Sequence, residues 1–227
     1  MKVFTLTTSL EMTHPDQARL DLTPVLDLEI VPASRSDANT ITTFYQTLAK
    51  ENLWTERTGW VAADFEMQIA KERAKIWLAK LNGTPVGFVE TYHYQDNRIQ
   101  IIYLGILSRY RNLGIGRHLV SYVIDTVWKS RPKKIELCTR TYDSEHALKN
   151  YLKRGFHITK VRPQIIEVPP DMQVHIAEMV ADAQKRGAYP SFARRVEAIL
   201  RACWLGHAAR WLLDNVKRRV DIVKANA

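Results

Sequence analysis

Cysteine is almost missing from these 227 residues: Cys138 and Cys203 stand far apart, with no CxxC or Cys/His spacing. A disulfide framework or a structural zinc site is therefore not expected, and no other metal-ligand spacing stands out. Long apolar runs are missing too. No stretch approaches the roughly 18 apolar residues that a membrane-spanning helix needs. The opening MKVFTLTTSLEMTHPD is too polar for a good signal peptide, so a soluble cytoplasmic protein is the expectation. There is no internal repeat and no low-complexity tract. Acidic residues are the scarcer charge, leaving a net charge of +9 and a pI near 9.6. The excess is spread along the chain rather than gathered in a tail. That favours polyanionic partners in general, phosphorylated cofactors included, and does not by itself indicate nucleic acid.

What is present is ordinary globular material, with 46% hydrophobic and 25% charged residues. Residues 1–26, with Pro15 and Pro24 and little periodicity, read as an arm before the fold. Residues 26–31, LDLEIV, alternate as a first strand. A helix capped by Ser36 or Asp37 carries Ile41, Phe44, Tyr45 and Leu48 at helical spacing. The tryptophan-bearing connection LWTERTGW leads to a short helix, AADFEMQIAKERA. KIWLAKL and PVGFVETYHY flank Asn-Gly-Thr and pair as a hairpin, and RIQIIYLGIL is the next strand. Ile115, Leu119, Val120, Val123, Ile124 and Val127 mark one face of the following helix. A strand IELCTRT, a helix DSEHALKNYLKR capped by Asp143 or Ser144, and a strand GFHITKV complete a domain over 27–168. The order β-α-α-β-β-β-α-β-α-β implies a mixed α/β sheet with helices on its faces. Residues 169–227 carry three helical patterns and no strand. Their broad apolar band is open to three partners: the preceding α/β domain, a second copy in a homodimer, or, least favoured, a membrane surface.

The stretch that points to chemistry is RNLGIG, Arg111 to Gly116, between a strand and a helix. Amides at a helix start have no intrahelical partner and sit at the positive end of the helix dipole. Glycines at 114 and 116 let an anion approach them, and Arg111 adds charge at the rim. Two common phosphate motifs do not fit. Leu119 stands where a dinucleotide fingerprint needs its third glycine, and Gly-Lys-Ser/Thr is absent. A tight turn without a ligand remains open on this loop alone.

Arg111-x-x-Gly114-x-Gly116 after a strand resembles the acetyl-CoA loop of the GNAT N-acetyltransferase superfamily. SEHALKNYLKRGF resembles its second signature, with Ala147, Tyr151, Gly155 and Phe156 matching and Ser144 where asparagine is usual. The arm and the LWTERTGW segment look like those of an uncharacterised bacterial branch. The resemblance covers roughly 27–163 and implies a GNAT fold whose two central parallel strands splay apart. It implies that the amides of Leu113, Gly114, Ile115 and Gly116 hold the pyrophosphate of acetyl-CoA. Leu104 and Ile106 would offer main-chain bonds to pantetheine, and Ser144 either a cofactor contact or a plain helix cap. Tyr151 would protonate the departing thiolate, or else pack its ring in the core. The acceptor would be an amine-bearing small molecule or protein, attacked directly without an acyl-enzyme.

The base is less defined. Many members use a glutamate on the strand before the loop, and RIQIIYLGIL has no acid. Gln100 can orient water but cannot take a proton. Glu90, on one side of its strand with Phe88 and Tyr92, is the candidate base or an anchor for a cationic substrate, with a solvated charge as the alternative. His93 points the other way. Trp54, Glu56 and Trp60 are candidates for the acceptor wall, where aromatics and a carboxylate suit a cation, though tryptophans also simply pack. Cys138 is expected to be buried rather than nucleophilic. A regulatory module that binds CoA without turnover is the alternative to an enzyme.

Overall fold

Asn82 and Gly83 form the tight turn of a hairpin, both with positive φ, and the remaining elements follow the expected order with one addition. The structure is a computed structural model describing residues 2–144, 146–174 and 176–178. In chain order it contains β1 (Lys2–Met12), β2 (Leu28–Pro32), α1 (Ala38–Asn52), α2 (Ala62–Ala70), β3 (Ala74–Leu81), β4 (Thr84–His93) and β5 (Arg98–Ile106). Then come α3 (Ile115–Trp128), β6 (Lys134–Arg140), α4 (Ala147–Lys153) and β7 (His157–Glu167). One seven-stranded sheet has the order β2-β3-β4-β5-β6-β1-β7, antiparallel throughout except for β5 against β6. This is the mixed sheet expected from the sequence.

The addition is β1, and it corrects the reading of residues 1–26 as an arm. Residues 2–12 lie inside the sheet, paired with β6 on one edge and β7 on the other. Val3, Thr5, Leu6, Thr7, Thr8, Leu10 and Met12 are all buried, so the first half of the strand is covered on both faces, while Ser9 and Glu11 are half-buried. Threonine fills strand positions well because it is β-branched, and Thr7 satisfies its hydroxyl on Gln164 Oε1 at 2.9 Å. The segment after β1 runs over α3 and α4. Gly155 adopts φ +100° beneath it, where a Cβ would stand 1.8 Å from the carbonyl oxygen of Gln17.

Each face of the sheet carries its own core. On one, α3 lays Ile115, Leu119, Val120, Val123, Ile124 and Val127 against Leu10, Ile99, Ile101, Ile135 and Leu137. On the other, α1 and α2 bring Ile41, Tyr45, Leu48 and Phe65 against Ile76, Leu78, Phe88 and Tyr103. Two boundaries differ from expectation. The helix expected from Asp143 begins at Ala147, and the last strand runs on to Glu167. The chain divides into units Met1–Met172 and Gln173–Ala227. The helices expected over 169–227, and with them the homodimer and membrane faces, lie almost wholly outside the described residues. Among the described residues no helix is long and apolar enough to cross a membrane.

Candidate active site

The parallel pairing of β5 with β6 runs only from Arg98–Lys134 to Ile101–Leu137. The next step on β5 explains why it stops. Thr91 pairs with Ile101 but Glu90 pairs with Tyr103, so Ile102 is an extra residue, a bulge. A bulge shifts side-chain parity: Ile99 and Ile101 face α3, whereas Tyr103 joins the core under α1 and α2. It also bends the strand. Beyond the bulge β5 follows β4, with Val89 opposite Leu104 and Gly87 opposite Ile106, while β6 follows β1 out to Thr7–Arg140. The two parallel strands separate, and among the described residues one edge of β5 from Ile102 to Ile106 has no strand beside it.

A cleft of about 450 Å³ opens in that gap, lined by Ile101 through Ile106, by Leu137 and Cys138, and by the start of α3. Cys138, expected to be buried, is exposed on the wall of this cleft.

At one end of the cleft the chain turns from β5 into α3. Gly114 takes φ +81°, a left-handed conformation that a side chain would strain. His118 N–H donates to Gly114 O at 3.2 Å, but the amides of Leu113, Gly114, Ile115 and Gly116 have no acceptor among the described residues. A Cβ on Gly116 would meet nothing within 4 Å, so the space beside those amides is open. Lys149, Lys153, Arg117 and Arg154 line the same end. Bare amides, open space and a surplus of cations fit a diphosphate group. Arg111 also lines the cleft, but its guanidinium is held by Glu51 and by Ile106 O, so it braces the loop. Leu113 is 53% exposed and Ile115 is buried in the core, so neither side chain lines the cleft, and only their amides are available to a ligand.

Sequence reading missed Asp21, whose carboxylate accepts from Arg117 Nη1 at 2.6 Å and lies 3.4 Å from Arg154 Nη1. Hydrogen bonds from Thr23, then the charge of Arg117, hold its pKa down at about 2. It ties the segment after β1 to α3 and α4. Asn150 adds a second tie, donating to Gly116 O at 3.2 Å.

At the other end stand Trp54, Asp143, Ser144 and Tyr151. Tyr151 is buried, with its ring edge-on to Phe156 at 6.2 Å. Burial first, and then the charge of Asp143, push its phenol well above the ordinary value. Ser144 precedes α4 and does not share a helix face with Tyr151. Asp143 does not cap α4 either. It closes the turn after β6, accepting from Arg140 N at 2.8 Å and Thr139 Oγ1 at 2.7 Å, and takes Trp54 Nε1 at 3.3 Å.

The remaining candidates lie elsewhere. Glu90 does not line the cleft. It is fully buried, with both oxygens held by Arg57 at 2.6 and 2.8 Å and one also by Gln68 Nε2 at 2.7 Å. Burial works against the charge on Arg57, but the hydrogen bonds and charge of Glu90 keep the guanidinium above its ordinary value. This pair does not fit the expected base, since a proton would have to displace a bidentate guanidinium. Trp60 lies under Arg57, 4.2 Å from its ring centroid, and packs edge-on to Phe65. Glu56 is ion-paired with Arg140 at the surface. The cleft thus gathers Trp54, Leu104, Ile106, Arg111, Gly114, Gly116, Ser144 and Tyr151, and leaves out Glu56, Trp60 and Glu90. Arg57 had a signal in the sequence: a glutamate inside an apolar strand needs a cation, and the arginine lies between two tryptophans.

A family model described as the acetyltransferase (GNAT) family matches residues 41–156, just over half of the chain. No curated protein matches the sequence. A GCN5-related N-acetyltransferase from Sphaerobacter thermophilus has a TM-score of 0.54 at 16% identity, over 73% of this chain and 52% of that one. One from Kribbella flavida has a TM-score of 0.52 at 13% identity, over 74% and 60%. A functionally unknown conserved protein from Staphylococcus epidermidis gives 0.51 at 18%, over 72% and 62%. The chain therefore spans between half and two thirds of the length of these structures, and at these identities the likeness is one of fold.

Proposed function

Since the chain belongs to the GNAT acetyltransferase family, we propose that it moves an acetyl group from acetyl-CoA to a primary amine by direct attack in a ternary complex. The observation that carries this reading is the gap between β5 and β6, opening onto amides at the head of α3 that have no acceptor among the described residues. The amides of Leu113 to Gly116 would take the pyrophosphate, and the free edge of β5 at Leu104 and Ile106 would take the pantetheine arm. Bound there, the coenzyme supplies an activated thioester.

The chain's own residues do the rest. A lysine-type amine has a free pKa near 10.4, so at neutral pH its neutral form costs roughly 4–5 kcal/mol. The site must remove a proton from the ammonium and return one to the leaving sulfur. Tyr151, kept protonated by burial, donates to the sulfur. A main-chain N–H on the open edge of β5 meets the charge developing on the thioester oxygen. Trp54 walls the acceptor side, and a cytoplasmic setting suits the reaction. A second reading, a CoA-binding module without turnover, is supported by the capture of Glu90 by Arg57 and by the absence of an acid on β5. Thiol release from acetyl-CoA with a panel of primary amines separates the two, with CoA binding followed by calorimetry. Release with at least one amine is expected; tight CoA binding with no release from any amine would favour the module.

A further inference from the structure

Resting on that acyl-transfer reading, we propose that Asp143 is the catalytic base, taking the proton from the acceptor's ammonium group. Asp21 and Asp143 are the two carboxylates that line the cleft among the described residues. Asp21 belongs to the phosphate end and is spent on Arg117 and Arg154. Asp143 stands where β6 has parted from β5, in the same cleft as Tyr151 and Trp54.

Its partners suit the task. Oδ2 accepts from Thr139 and the Arg140 amide, and Oδ1, among the described residues, accepts only from Trp54 at 3.3 Å. Oδ1 therefore keeps room for an ammonium hydrogen. Three neutral donors fix the carboxylate's orientation without neutralising its charge, whereas Glu90 is locked by a guanidinium. Among the described residues the charged and titratable neighbours are few. Arg140, on β6, turns its guanidinium to Glu56; Tyr151 faces from α4; His146 lines the same cleft. Burial raises the Asp143 carboxyl above its ordinary value against these hydrogen bonds and the charge of Arg140, making it a better proton acceptor.

The step balances as follows. Asp143 takes one proton from R–NH3+, and the nitrogen lone pair forms the C–N bond to the thioester carbon. The C–S bond breaks, the sulfur takes the Tyr151 proton, and the nitrogen's next proton restores the phenol. Products are the amide, the free thiol and one proton, which Asp143 passes to water.

The test compares wild type with Asp143→Asn in thiol release from acetyl-CoA. One acceptor is the most active alkylamine of the panel; the other is an arylamine of similar size, already neutral at pH 7. Expected is a loss of ~100-fold or more with the alkylamine and only a few-fold with the arylamine. Calorimetric affinity for CoA should be unchanged. In wild type, kcat/KM for the alkylamine should fall as pH drops through the raised pKa of Asp143. The variant should lose that limb and instead climb with the amine's own ionisation. Equal losses with both amines would make Asp143 structural, and undiminished activity, or a wild type without the low-pH limb, would overturn the assignment. If Asn beside Trp54 prevents folding, the wild-type pH profile decides alone. Absence of release by wild type from every amine, with CoA still bound, would instead remove the underlying reaction.

Discussion

The two ends of the cleft are built by different means. The phosphate end is main chain: a left-handed Gly114, an open Gly116 and the amides of one helix start, all within six consecutive residues. The amine end is side chain: Trp54 from the connection after α1, Asp143 from the turn after β6 and Tyr151 from α4. A site made of consecutive backbone leaves a motif in the sequence. A site assembled from three distant segments leaves only scattered residues, whose meaning depends on how the sheet bends.

That contrast can be broken most severely at the backbone end. Gly116→Trp fills the space that is open beside the amides and should reduce CoA affinity more than ~100-fold, with the circular dichroism spectrum retained. Calorimetry showing near-normal binding would remove the loop from the site. At the side-chain end, Tyr151→Phe should lower kcat by ~100-fold or more while CoA affinity moves less than ~3-fold. An unchanged kcat would take the acid role from Tyr151. Glu90→Ala leaves Arg57, whose side chain is only partly exposed, without its carboxylate, and should cost ~3 kcal/mol in urea unfolding. The milder Glu90→Gln, assayed where it remains folded, should keep the low-pH limb of the wild-type profile; losing that limb would return Glu90 to candidacy as the base.

The smallest effect is expected at Asp21. Its carboxyl is held down to about 2 from an ordinary 3.8, so the stability it contributes is fully present above pH 4. That contribution is lost as pH falls through 2. Stability measured between pH 4 and 2 should therefore decline more steeply in wild type than in Asp21→Asn, by a small margin because the group is exposed to solvent.

The same division decides what could be read before the structure. The helix of Ile115 to Val127 and the hairpin at Asn82-Gly83 were legible because each is fixed by local spacing. The acetyl-CoA loop was legible because its function is carried by glycines and a helix start. β1 was less legible: Leu6, Leu10 and Met12 alternate with Thr7, Ser9 and Glu11, but Thr8 interrupts the pattern and both strand partners lie more than a hundred residues further along the chain. The bulge at Ile102 was not legible, because the residues from Ile101 to Leu107 form an almost wholly apolar run, in which a change of parity leaves no mark. Asp143 looked like a helix cap because Asp and Ser before an apolar helical pattern usually are one. It serves a strand end instead, since α4 starts at Ala147.

β1 has one more consequence, for the order of assembly. Its partners come late: Met12 meets Ile135, and Lys2 meets Glu167. Such pairings close very long loops and are slow to form. While the chain is being synthesised, β1 leaves the ribosome long before either neighbour exists, with both hydrogen-bonding edges bare. The far wall of the cleft, β6 leaning on β1, is thus among the last parts to consolidate, and a nascent chain halted before β6 would have the phosphate loop without the opposite bank.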